Sequence, residues 1–274
     1  MSKRKYERPI FLLLSVALLL VGPAVWAGGD DEDEDEGIPF DEAEIFFELN
    51  NTDGDLGIHA LIDGDAWKNM EIVDPSERRL LKVRARSKLR LQGLTEIFFE
   101  SAEPVFDDLS PAEFFDRFEP GTYEIEGKTL EGEELESETE LTHLMPAPPQ
   151  PTVNGIPMAV QCDEEEPGYD APEVTAPVTI AWPAITTSHP DLGNPQGSAD
   201  ITIHNYQLVV ETEIETADGE ELEVLISVIL PPGVTSMVIP AEFIALSDGF
   251  KYEVLVREES FNQTATESCF LLAE

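Results

Sequence analysis

The hydrophobic pattern divides the chain into short apolar runs bounded by turn-forming residues, which is typical of β-strands. Within residues 80–91, five basic residues alternate with apolar residues and Ser87, and this period of two predicts a half-buried strand. The run Ser110-Pro111-Ala112-Glu113 has the Ser, Pro and Glu of a helix start, so a short helix is expected before Pro120. Further strands of the first half are predicted at 44–50, 57–63 and 94–101, with two more between 121 and 143.

The second half has the same character, with short strands separated by strong turn signals at Asp218-Gly219 and Pro231-Pro232-Gly233. Five or more strands at this spacing favour a sandwich. The expected fold class is therefore all-β, with two β-sandwich-like domains. Strands of this half are predicted at 178–182, 206–211, 222–230, 236–239 and 251–257; the expected division is a signal peptide (1–27), an acidic tail (28–39), a β-rich domain (40–145), a Pro-rich linker (146–172) and a second β domain (173–274).

The first 27 residues have the three parts of a secretory signal peptide. Lys3, Arg4, Lys5 and Arg8 precede an apolar run from Ile10 to Val21, and Ala24-Val25-Trp26-Ala27 then supplies small residues at the two positions that a signal peptidase reads. A retained membrane anchor is the alternative, but the run is shorter than the roughly 20 residues that a span needs. The pattern predicts a secreted, periplasmic or cell-surface protein with no span in the mature chain.

The chain is strongly acidic, with a formal net charge of −41. Cleavage after residue 27 would leave 12 basic and 56 acidic residues, a formal charge of −44. Nucleic-acid binding needs clustered cations to neutralise phosphates, so this balance excludes nucleic acid as a partner. Seven consecutive acidic residues, 30–36, are expected to form a solvated tail.

Two cysteines, Cys162 and Cys269, remain in the mature chain. An even count in an exported protein favours one disulfide, and two buried free thiols are the alternative. Neither cysteine lies in a spacing that binds zinc. His59, His143, His189 and His204 also lie outside metal and nucleophile motifs, so they are expected to be ordinary strand and loop residues.

Three segments of the C-terminal hundred residues resemble a fibronectin type III domain. Pro177–Trp182 is similar to its second strand with the core Trp, and Tyr206–Val210 to its third. Leu246 and Tyr252, six residues apart, match its tyrosine corner. The long loop 186–198 and Cys269 depart from the family pattern. The resemblance implies a β-sandwich used as a spacer or recognition module, without catalytic residues.

A more distant resemblance covers the first domain. Residues 52–57 (TDGDLG) and 63–67 (DGDAW) are similar to runs in uncharacterised secreted bacterial proteins. The same acidic positions, Asp53, Asp55, Asp63 and Asp65, are candidate calcium ligands. They do not form an EF-hand, because Leu56 stands where the loop needs Gly and Ile62 where it needs Glu. Ordinary turn chemistry is the alternative.

The densest basic segment is 78–90, which holds seven of the 12 mature cations. One interpretation is local neutralisation, by acidic strands near Glu44 and Glu48, by residues 131–140, or by the acidic tail. The other is a binding surface for an unknown protein or an anionic surface polymer. The candidate residues of that surface are Lys82, Arg84, Arg86, Lys88 and Arg90.

These features favour an exported, non-enzymatic binding or scaffold protein that needs no cofactor. Two alternatives remain: a secreted hydrolase with a catalytic first domain and an accessory second domain, or a calcium-stabilised surface protein. A catalytic first domain would have a concave pocket with perturbed carboxylates or a histidine.

Overall fold

The structure is a computed structural model that describes residues 37–164, 166–197 and 200–273. The predicted signal peptide and the acidic run 30–36 lie outside the described residues. Within the described part the fold is all-β, as predicted, with three short helices. No helix of this part is long and apolar enough to cross a membrane.

The first half contains a strand that spans 19 residues, the longest of this half. Its elements are β1 (Glu42–Asn50), β2 (Asp55–Val73), β3 (Arg79–Arg84), α1 (Ser87–Gln92), β4 (Leu94–Glu100), α2 (Pro111–Phe115), β5 (Gly121–Thr129) and β6 (Glu134–Leu141).

The second half contains several very short strands and four long ones. Its elements are β7 (Thr152–Val153), β8 (Ile156–Pro157), β9 (Glu173–Val174), β10 (Thr179–Ala181), β11 (Ile203–Glu215), β12 (Glu221–Leu230), β13 (Ser236–Val238), α3 (Ala241–Ile244), β14 (Gly249–Glu258) and β15 (Gln263–Leu272).

One sheet runs through both halves in the order β12-β11-β14-β15-β1-β2-β5-β6. Its halves meet where β1 pairs in parallel with β15, with Glu48 opposite Gln263. Strand β2 pairs with β1 and β4 near its start, and with β3 and β5 near its end. A second sheet, β13-β10-β7-β8, faces the C-terminal strands.

Each half has its own hydrophobic core. The first core is built around Phe47, Trp67 and Tyr123, with Phe114 and Phe115 of α2 packed edge-on against Phe47. The second lies between the two sheets, and there Trp182 packs on Tyr206 with ring centroids 5.5 Å apart. Residues 37–274 nevertheless form one compact unit, so the division into two domains stays a prediction.

The Pro-rich segment 146–172 contacts both halves. Val153 is fully buried in the second core, and Met145, just before the segment, is fully buried in the first. The described part of the long loop, 186–197, returns to the same region, where the backbone N–H of His189 donates to the Met145 carbonyl at 2.7 Å. The start of the Pro-rich segment is packed, whereas most of residues 160–170 are exposed.

The predicted strand over 80–91 is wrong in its second part. Strand β3 ends at Arg84, the N–H of the buried Ala85 donates to Lys68 at 2.9 Å, and Ser87 takes a left-handed φ of 53°. The chain then forms helix α1, in which no residue is buried. Alternation continues in the sequence, but from Trp67 towards its start β2 pairs with β4, which begins at Leu94, so the edge of β2 is not open to residues 86–91.

The predicted strand at 57–63 is correct but too short. The run Asp63-Gly64-Asp65, expected as a turn, continues β2 as strand. A side chain at Gly64 would lie 3.1 Å from the Phe40 ring, so the glycine permits close approach rather than a turn.

The helix start at Ser110 is confirmed in detail. Its hydroxyl and the Glu113 side chain form the reciprocal hydrogen bonds of a capping box. Within the region of fibronectin type III resemblance, Tyr252 is buried in β14, whereas Leu246 is 42% exposed. The hydroxyl of Tyr252 donates no hydrogen bond to the backbone of the described residues, so the bond that defines a tyrosine corner is not formed.

Candidate functional site

The basic segment divides into a paired and an unpaired part. Arg78 is paired with Asp74 at 2.8 Å, and Arg79 and Lys82 are paired with Glu71 at 2.7 and 2.5 Å. Arg78 also lies 3.6 Å from Glu119, so the partners come from β2, the turn after it and the turn before β5, and not from the acidic segments near Glu44, Glu48 or 131–140. Local neutralisation accounts for these three cations only.

The other four cations, Arg84, Arg86, Lys88 and Arg90, are exposed and have no ion pair with any described residue. We call these four residues the basic surface. They lie at the end of β3 and on α1, with Leu89 and Leu91 exposed by 49% and 82%. Because the helix buries none of its side chains, both charge and apolar area remain available to a partner.

The predicted calcium ligands do not converge. Asp53 lies in the turn before β2 and Asp55 begins that strand, whereas Asp63 is eight residues further along it. At about 3.3 Å per residue, eight residues of strand span about 26 Å. Among the described residues, no group of three or more acidic, His or Cys side chains is arranged to hold a metal ion.

Asp55 is unusual for a different reason. Its Oδ1 is buried without a hydrogen-bond partner. Burial, and then the neighbouring Glu103, Asp53 and Glu100, raise the pKa of Asp55 to about 7. Calcium binding stays a prediction, and the four residues are separated into two pairs, Asp53 with Asp55 and Asp63 with Asp65.

A group of buried polar side chains lies where β1, β2 and the segment after β4 meet. His59 is 1% exposed, and its Nε2 lies 2.8 Å from Glu103 Oε1. The other ring nitrogen, Nδ1, lies 3.7 Å from Glu48 Oε2 and has no hydrogen-bond partner. Burial raises the pKa of Glu103 to about 7, raises that of Glu48 and lowers that of His59, so the neutral forms are favoured.

The same sheet face carries a second group on β14 and β15. Glu253 and Glu267 lie directly opposite each other, and both carboxylate oxygens of Glu253 are buried without partners. Burial, and then Glu48 and Glu267, raise the pKa of Glu253 well above its ordinary value. Burial likewise raises the pKa of Glu267 to about 7. We call Glu48, Glu103, Glu253, Glu267 and His59 the buried carboxylate group.

The buried carboxylate group was not found from the sequence. In a chain with 57 acidic residues, no single Glu stands out. One signal was available for Glu253, which lies in the apolar run KYEVLVR at the centre of a predicted strand. Its position predicted that one face of the strand is buried. Glu253 is buried because β14 pairs with a strand on each side, β11 and β15.

A depression of about 400 Å³ lies apart from the buried carboxylate group, lined by Thr139, Glu140, Thr142, Leu144 and residues 258–261. Glu48, Glu103 and His59 of the first half are perturbed carboxylates and a histidine of the kind that a hydrolase would need. None of the three lines the depression.

The predicted disulfide is present. Cys162 and Cys269 are bonded, with Cα atoms 5.8 Å apart and a sequence separation of 107. The bond attaches the Pro-rich segment to β15, as expected.

No protein-family model and no curated protein matches the chain. Similar solved structures include the BSP domain of a biofilm-associated protein, with 10% identity, a TM-score of 0.23 and coverage of 86% of this chain and 30% of that one. A tetra-tandem repeat from the extending region of a large adhesion protein has 11% identity and a TM-score of 0.24, covering 84% and 49%. A 1.5-MDa bacterial ice-binding adhesin has 9% identity and a TM-score of 0.19, covering 86% and 65%.

The chain thus spans less than two thirds of each of these structures. At such low TM-scores the similarity says nothing about what this chain binds.

Proposed function

We propose that the chain is an exported, non-enzymatic binding or scaffold protein, and that the basic surface on α1 is its site for an acidic partner. The proposal rests on a contrast between the paired and the unpaired cations of residues 78–90. Three cations of 78–90 are neutralised by Glu71 and Asp74, whereas the four of the basic surface are exposed and unpaired. In a chain of net charge −41, an unpaired cationic patch is a local exception.

The partner that fits best is an acidic segment of another protein. Leu89 and Leu91 are exposed among the cations, so the surface suits a ligand that combines carboxylates with apolar side chains. An anionic polysaccharide would use the charges alone. The strong negative charge elsewhere on the molecule would disfavour binding of an acidic ligand at other places.

Export is supported by the signal-peptide pattern and by the disulfide, because disulfides persist in oxidising compartments. A fibronectin type III-like spacer is supported by the buried Trp182 and by the facing of β12-β11-β14-β15 on β13-β10-β7. Leu246 is 42% exposed, which argues against a tyrosine corner formed by Leu246 and Tyr252.

The test compares two double variants with equal charge change. Lys88→Gln/Arg90→Gln removes half of the basic surface, and Arg117→Gln/Lys251→Gln removes two exposed cations elsewhere. Binding of a peptide of alternating Glu and Leu is measured by titration calorimetry at low salt. We expect the first variant to bind about tenfold more weakly, about 1.4 kcal/mol, and the control to bind as the unaltered chain does.

A heparin oligosaccharide is the second probe. If heparin binds and the peptide does not, the acidic-segment partner is wrong and an anionic polymer replaces it. If both double variants weaken binding equally, the effect is one of net charge and the basic surface is not a site.

A further inference from the structure

The outer edge of the main sheet is formed by β12, which is paired on one side only. All ten of its residues pair with β11, from Tyr206↔Leu230 to Glu215↔Glu221. No strand of the described chain pairs with its other side. Its outward N–H and C=O groups can therefore accept another strand.

The side chains along this edge are unusually apolar. Leu222, Leu225 and Ile229 are 49%, 38% and 59% exposed. Val234 lies in the turn after β12 and is 37% exposed. Val238 lies in β13, an edge strand of the smaller sheet, and is 59% exposed. A short turn joins β12 to β13, so the exposed apolar positions continue from one edge strand into the other.

Edge strands of monomeric proteins are normally protected by Lys, by Pro or by a bulge. Residues 221–230 contain none of these residues, and their pairing with β11 is regular throughout. The charges on the strand are instead acidic and lie at its beginning, at Glu221 and Glu223. Nearby Glu223 helps to raise the pKa of Glu211 on β11, after burial, which indicates mutual repulsion at this end.

We propose that β12 is a docking edge for an extended segment of another protein, added antiparallel, with apolar residues at its N-terminal end and basic residues at its C-terminal end. The antiparallel direction places the basic end of the ligand against Glu221 and Glu223. Main-chain hydrogen bonds would supply affinity, and charge and apolar contacts would set the direction. A second copy of this chain is disfavoured as the occupant, because two molecules of net charge −41 repel each other.

The probe is a ten-residue peptide of alternating Val and Thr that ends in two Lys residues, matched in length to β12. Leu225→Lys/Ile229→Lys adds charge at the edge. Val160→Lys/Leu246→Lys is the control, because those residues are 84% and 42% exposed and lie outside both β12 and the basic surface. Binding is followed by fluorescence anisotropy on the full chain, and thermal melting checks that each variant is folded.

We expect the edge variant to bind about tenfold more weakly than the control variant, and hydrogen exchange of β12 amides to slow when peptide is added. A peptide ending in Glu-Glu should also bind more weakly than the Lys-Lys peptide. Equal binding by the two variants, or unchanged exchange in β12, would overturn the proposal. A dimer that forms without peptide and is lost in the edge variant would show a second copy to be the occupant, which also overturns it.

Discussion

At the scale of single residues, the buried carboxylate group makes stability depend on pH. A carboxyl whose pKa is higher in the folded than in the unfolded chain binds more protons when folded. Its contribution is most favourable at low pH and is lost as pH rises from about 4.5 towards the folded value, which is about 7 for Glu103 and Glu267. We expect the melting temperature to fall between about pH 5 and about pH 8.

Glu253→Gln should flatten this dependence, since it removes a buried carboxyl, opposite Glu267, whose pKa is raised well above its ordinary value by burial. Glu213→Gln, on the exposed part of β11, is the matched control and should leave the dependence unchanged. Calorimetry at the two pH values measures both. A melting temperature that rises over this range would contradict the raised pKa values.

Residue-scale prediction from the sequence succeeded where the cause was local. The capping box of Ser110 and Glu113 depends on three consecutive peptide units, so the sequence contains all of it. The environment of Glu253 depends on β11, β14 and β15 together, and no local pattern contains that information.

At the scale of elements, the disulfide stabilises the attachment of the Pro-rich segment to β15. It closes a loop of 107 residues, and the chain-entropy estimate for a loop of about 100 residues is about 4.7 kcal/mol. Cys162→Ser/Cys269→Ser should lower the free energy of unfolding by several kcal/mol, about 4, when measured by urea denaturation.

The control for this experiment is reduction. A reducing agent should destabilise the unaltered chain to the level of the double variant and should leave the double variant unchanged. Equal urea midpoints for the oxidised chain and the variant would mean that neighbouring strands alone hold the segment.

The prediction of strands and helices failed where a strand and a helix have the same alternating sequence pattern. Residues 80–91 alternate as a strand throughout, but pairing with β2 ends at Arg84 opposite Asn69. Beyond it, six residues form α1 without a buried face. The cations of the basic surface were predicted on one face of a strand, whereas they lie at a strand end and on a helix.

At the scale of the whole molecule, the junction of β1 and β15 connects the two cores. Arg257 is paired with Glu44 at 3.1 Å, and Gln263 donates to the Glu48 carboxylate. Asn262 is fully buried, accepts from the Phe47 N–H at 2.8 Å, and donates to the Leu144 carbonyl at 2.9 Å. Two halves joined by one sheet and by buried hydrogen bonds should unfold together, although each has a core of its own.

We therefore expect scanning calorimetry to show one transition, with a ratio of calorimetric to van't Hoff enthalpy of about one. Asn262→Ala removes the side chain of the second half that bonds the Phe47 N–H and the Leu144 carbonyl of the first, at a cost of about 1–3 kcal/mol for each group left unpaired. The variant should melt at a lower temperature and separate into two transitions as the halves lose their coupling. Asn205→Ala, at a half-buried position of β11, is the control and should keep a single transition. Two transitions in the unaltered chain would instead show that each core is an independent folding unit, as the division at 146–172 predicted.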